Sequence, residues 1–106
     1  MDKDGIAALR GRLEALRAEL AALGPLMRGS VVVIGTKGKH PYFSLNKDKR
    51  TKLIYLGKKR EAAARACSAN YQRLLDIVEE MTLVNMELLK NDSLDAGAPS
   101  NMSENF

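Results

Sequence analysis

The residues of this chain that could do chemistry are few, apart from its cations. There is one histidine, His40, and one cysteine, Cys67, with no acidic cluster beside either. A Cys/His nucleophilic pair needs the two side chains within hydrogen-bond reach, and these two fall in different predicted elements. Cys67 sits at a seam position of a predicted helix, where a free cysteine behaves as a small apolar residue. No zinc-ligand spacing exists. The stretch "GTKGK" (35–39) has glycine and lysine but not the GxxxxGK[ST] spacing of a phosphate loop. Glu79, Glu80 and Glu87 read as a solvated helix face. The sequence therefore predicts no enzyme, no metal and no cofactor.

The cations are a different matter. In "LNKDKRTKLIYLGKKR" (45–60), seven of sixteen residues are Lys or Arg and only Asp48 opposes them. Residues 1–27 carry four basic and four acidic groups, 28–65 carry eleven and two, and 66–106 carry two and seven. A solvated surface interleaves both signs, whereas a basic block between neutral and acidic segments points to a polyanionic partner. Lys58, Lys59 and Arg60 also open a predicted helix, the end at which the helix dipole favours acids. The expected nucleic-acid-binding residues are Arg28, Lys37, Lys39, Tyr42, Ser44, Asn46, Lys47, Lys49, Arg50, Lys52, Lys58, Lys59 and Arg60. They are expected to converge on one end of the molecule.

These residues must be positioned by a small number of elements. Ile6, Leu9, Leu13, Leu16, Leu20 and Leu23 recur at alternating spacings of three and four, the pattern of a helical seam. Asp4 is the expected cap, and Gly24-Pro25 ends the run. "GSVVVIG", "PYFSLN" and "TKLIYLG" read as three short strands, the last two joined through the turn "KDKR". Sequential strands with short connections favour an antiparallel meander. Alternation puts Phe43 and Leu45 on one face and Tyr42, Ser44 and Asn46 on the other. The third strand has no such alternation, because Leu53 to Leu56 are all apolar. Its expected arrangement places Arg50 and Lys52 beside Tyr42 on the outer face and Leu53 against the following helix.

That helix is predicted over 58–90, with Cys67, Tyr71, Leu74, Val78, Met81 and Leu88 on a seam widened by Ile77 and Val84. Asn85 falls on the seam, where a polar residue specifies register or oligomeric state or is satisfied by a local hydrogen bond. Ala62, Ala63, Ala64 and Ala66 suit a close approach to the sheet. The expected fold is α+β: a single domain over 1–90 with helix 4–24, sheet 29–57 and helix 58–90. The two helices form an antiparallel hairpin, and 91–106 forms a disordered tail. No apolar run approaches the roughly 20 residues of a membrane span. Asp2 and Asp4 stand where a signal peptide would be positive. A cytoplasmic protein is expected, with the helix seams open to a homodimer or a partner protein.

Two resemblances bear on these residues. Residues 29–66, through Tyr42-Phe43, Lys47 to Lys52, Tyr55-Leu56-Gly57 and Lys58 to Ala62, resemble the arm-type DNA-binding domain of tyrosine recombinases and phage integrases. That resemblance implies a three-stranded sheet entering the major groove, with Tyr42, Ser44, Asn46, Arg50 and Lys52 toward bases or phosphates, and DNA rather than RNA as ligand. Residues 20–90 are similar to a family of small uncharacterised proteins of bacterial and archaeal mobile elements. The similarity rests on Arg28-Gly29-Ser30, His40-Pro41-Tyr42-Phe43-Ser44-Leu45 and Asn85-Met86-Glu87-Leu88-Leu89. It implies a transposition or recombination context. Many of those relatives carry cysteines between the first two strands, where this chain has Gly35 to Lys39 and none.

Overall fold

A computed structural model describes residues 2–94. The order of elements is α1 (Lys3–Ala22), β1 (Ser30–Ile34), β2 (His40–Lys47), β3 (Arg50–Tyr55) and α2 (Gly57–Lys90). The strands form one antiparallel sheet in the order β1-β2-β3. This is the expected α+β arrangement. It is elongated, 62 × 34 × 20 Å, because α2 runs under the sheet and then on alongside α1 as a stalk.

The stalk is a leucine seam. Leu16 and Ile77 are fully buried and Leu88 nearly so, each removal from water being worth about 1.5–3 kcal/mol. The cap of α1 is Asp2 rather than Asp4: Asp2 Oδ1 accepts from the Gly5 N–H at 2.8 Å. Asp4 lies in the first turn, where its charge still suits the dipole. Along α2 the residues facing α1 centre on Ile77 and Val84. Val78, expected on this seam, is 50% exposed, and Asn85 flanks the seam half-buried. Adjacent apolar residues at 77 and 78 fit two helical phases, and packing against α1 selects one. The far end of the stalk is closed by a turn at 91–94. The Ser93 N–H donates to Leu88 O at 2.8 Å, and Arg10 Nη2 donates to Ser93 O at 3.0 Å. Residues 91–94 of the expected disordered tail thus form an ordered turn instead, and the rest of that tail, 95–106, lies outside the described residues.

The head has its own small core of Phe43, Leu56 and Ala64, with Val31 and Leu45 packed against it. Of the four alanines expected to meet the sheet, only Ala64 is buried. The chain between α1 and β1 is fastened to the middle of α2 by three hydrogen bonds. The Met27 N–H donates to Cys67 O (3.1 Å), Asn70 Nδ2 to Pro25 O (2.7 Å) and Ser68 Oγ to Gly29 O (2.7 Å). Gly29 must be glycine there: a Cβ would fall 2.5 Å from Phe43 Cζ and 2.6 Å from Ser44 O.

Candidate nucleic-acid interface

The cross-strand register decides what the cations can share with the polar residues of β2. Lys47 pairs with Arg50, Leu45 with Lys52, and Phe43 with Ile54. Partners directly across an antiparallel pair point to the same side. Arg50 and Lys52 therefore lie on the face of Phe43 and Leu45, and Leu53 lies on the outer face opposite Ser44. This reverses the expected placement of all three. The reversal follows from the turn: Asp48 and Lys49 both have positive φ (54° and 64°), so the hairpin closes in two residues, as a type I′ turn does. With no Asn-Gly or Asp-Gly between β2 and β3, that loop length was not readable.

The outer face of the sheet is consequently free of formal charge. It carries Ser30, Val32 and Ile34 from β1, His40, Tyr42, Ser44 and Asn46 from β2, and Thr51, Leu53 and Tyr55 from β3. Tyr42 and Tyr55 meet edge to face with ring centroids 5.5 Å apart, and His40 lies 6.0 Å from Tyr55. Thr51 Oγ1 donates to Asn46 Oδ1 at 2.7 Å, which leaves the Asn46 amide hydrogens available as donors. Thr51 and Tyr55 were not among the expected site residues. Their cross-strand partners Asn46 and Tyr42 were the signal, unusable without the register.

The cations fall into two groups at opposite ends of the sheet rather than at one. Ile34 pairs with His40 and Tyr42 with Tyr55, so the loop bearing Lys37 and Lys39 meets the start of α2 with Lys58, Lys59 and Arg60. The first turn of α2 has no acid, and Leu56 before it offers no side-chain cap. At the other end stand Arg28, Lys47, Lys49 and Arg50, with Lys52 one step along β3. The eight residues of β2 separate the groups by roughly 23 Å at ~3.3 Å per residue. Arg28 Nη1 donates to Asn46 O at 3.0 Å, and Arg60 Nη1 to Tyr55 O at 3.4 Å. Both bonds are to neutral carbonyls and leave the charges uncompensated. Among the described residues, none of these ten cations is in an ion pair; the ion pairs are Arg12–Glu80, Arg73–Glu19, Arg65–Glu61 and Lys90–Glu87.

β3 completes the site by what it lacks. α2 packs against β1 and β2 but not β3, and every residue from Arg50 to Tyr55 is exposed. On the inner side this leaves an open groove of about 410 Å³ with an apolar floor of Met27, Phe43, Leu45 and Ile54, rimmed by Arg28, Lys47 and Lys52. Among the described residues no group of acidic, His and Cys side chains is placed to hold a metal ion, and no helix is long and apolar enough to cross a membrane. No family model, curated protein or solved structure matches this chain.

Proposed function

We propose that this protein is a non-enzymatic, nucleic-acid-binding accessory protein of a mobile genetic element, with DNA as its ligand. The observation that carries the proposal is the set of ten cations, all without a carboxylate partner among the described residues, arranged around a strand that nothing covers. A protein that neutralises phosphates gains affinity from released counterions. Such cations have no need of internal partners. The β2–β3 hairpin is a two-stranded ribbon, which a major groove about 12 Å wide admits. Tyr42, Ser44, Asn46 and Thr51 then face base edges. The two cationic groups meet phosphates on either side, and Arg50 and Lys52 join them as phosphate contacts rather than base readers. DNA and the mobile-element setting come from the resemblances to integrase arm domains and to transposase-neighbour proteins.

Fluorescence anisotropy with duplex DNA at two salt concentrations tests this. The expected result is binding whose logarithm falls linearly with log salt, with a slope of about −0.9 per phosphate contacted. Binding that is absent at low salt, or indifferent to salt, overturns it. A second reading, a coiled-coil protein-interaction subunit of a larger recombination or nucleoprotein complex, is favoured by the apolar residues exposed along α2. It is distinguished by capture of a partner that survives neutralisation of Lys58, Lys59 and Arg60.

A further inference from the structure

α2 has two apolar faces, and α1 covers only one. Cys67, Asn70, Leu74, Ile77, Met81, Val84, Leu88 and Asn91 follow one another at alternating steps of three and four toward α1. About 100° round the helix, a second face runs through Ala64, Ser68 and Tyr71 into Leu75, Val78, Thr82, Met86 and Leu89. Its upper part lies under the sheet: Ala64 packs with Phe43 and Leu56, and Ser68 bonds Gly29. Below the sheet no other described element covers it. Leu75, Val78, Met86 and Leu89 are 43%, 50%, 55% and 61% exposed. Contiguous exposure of large apolar side chains marks an interaction surface.

We propose that this stripe is the interface of an antiparallel homodimer whose two-fold axis passes through Thr82. The stripe is self-complementary, as a two-fold interface must be. Val78 and Met86 lie four residues before and after Thr82, and Leu75 and Leu89 lie seven before and after. Rotation about Thr82 sets Val78 against the partner's Met86 and Leu75 against the partner's Leu89, with the smaller threonine on the axis. Thr82 fits an apolar contact because its hydroxyl is already satisfied, donating to Val78 O at 2.7 Å. Charge selects the direction. Asp76 and Glu79 on α2 and Asp92 in the turn that follows it have no ion-pair partner among the described residues. Antiparallel pairing about Thr82 holds the two basic heads at opposite ends of the dimer, where they do not repel. Parallel pairing sets acid beside acid. The stripe spans about 21 Å at 1.5 Å per residue, a small contact of the kind that gives reversible association. The dimer displays its two sheets at opposite ends, so two binding heads act as one bivalent unit.

Sedimentation velocity on the full chain without nucleic acid, from low to high micromolar concentration, tests the proposal independently of the nucleic-acid reading. The expected result is a monomer–dimer equilibrium. Val78→Glu should weaken it on the order of a hundredfold, because a charge would be buried unpaired. Adding Met86→Lys to Val78→Glu should restore it, since each new Glu then faces a new Lys across the antiparallel axis. Leu83→Glu serves as the comparison: Leu83 is 58% exposed but lies about 100° from Thr82 and about 60° beyond Met86 at the edge of the stripe, so association should change far less than with Val78→Glu. Far-UV circular dichroism matching the wild type establishes that the variants are folded, and these positions are exposed enough to tolerate the change. A monomer at every concentration, a dimer indifferent to Val78→Glu, or a double variant that stays monomeric overturns the proposal.

Discussion

Across the stalk, Arg12 meets Glu80 and Arg73 meets Glu19, one pair from each helix to the other. In the head, Arg28, Lys37, Lys39, Lys47, Lys49, Arg50, Lys52, Lys58, Lys59 and Arg60 meet no carboxylate among the described residues. The packing differs in the same sense. The stalk buries Leu16, Ile77 and Leu88 between two helices, while the head rests on Phe43, Leu56 and Ala64 and leaves both sides of β3 open. Exposed ion pairs contribute little stability, so the paired charges of the stalk chiefly set how the helices face each other. Unpaired like charges repel, and their crowding in the head is a cost to folding that a bound polyanion would relieve.

The largest expected effects test whether the two regions are energetically separate. Ile77→Ala should cost about 2–5 kcal/mol and Phe43→Ala about 3–5 kcal/mol. Because the Met27–Cys67, Asn70–Pro25 and Ser68–Gly29 hydrogen bonds tie head to stalk, both should shift one common transition in urea denaturation. Two transitions, each moved by only one of the substitutions, would mean that the head and the stalk unfold apart.

Next in size is the effect on binding. Lys58→Ala combined with Lys59→Ala should flatten the salt dependence of DNA affinity by about 1.8 in slope, near 0.9 for each phosphate that is no longer neutralised. Arg73→Ala, which breaks a stalk pair, should leave that slope unchanged. Equal effects from both changes would erase the functional distinction between paired and unpaired cations.

Smaller still is the hairpin. Lys49 holds a left-handed conformation (φ 64°) that costs a residue with a Cβ about 1–2 kcal/mol. Lys49→Gly should therefore raise stability by about 1 kcal/mol in the same denaturation assay. If Lys49 also contacts a phosphate, the salt slope should fall by about 0.9. Head stability and head affinity would then move in opposite directions.

The smallest expected effect is acid sensitivity of the stalk. The hydrogen bond from the Arg12 guanidinium, chiefly, holds the Glu80 carboxyl below its ordinary value of 4.5. The same bond raises Arg12. A carboxyl lowered in the folded state contributes stability above its unfolded pKa, and that contribution is lost as pH falls through the folded one. Thermal melting of wild type against Glu80→Gln should show the difference between them shrinking on acidification below about pH 4.5 and constant between pH 6 and 8. A difference that persists at low pH would assign the pair no electrostatic role.

Much of this molecule is written locally in its sequence. The leucine spacing of α1, the β-branched run at Val31–Ile34, the alternation of Tyr42 to Asn46 and the Gly-Pro break after α1 each specify an element through side-chain period and backbone preference alone. The concentration of cations between 28 and 60 is equally legible, since charge is additive along a chain. Two matters were left to tertiary structure. Leu53 to Leu56 are apolar at every position, so only the two-residue turn at Asp48-Lys49 could set their parity, and it moved Arg50 and Lys52 to the face of Phe43. Likewise α2 presents Ile77 and Val78 side by side, and only the docking of α1 chose Ile77 for the core and left Val78 in solvent. In both cases neighbouring apolar residues make two registers nearly equal in local energy. Only pairing with another element, β2 through a two-residue turn for β3 and α1 for α2, breaks the tie.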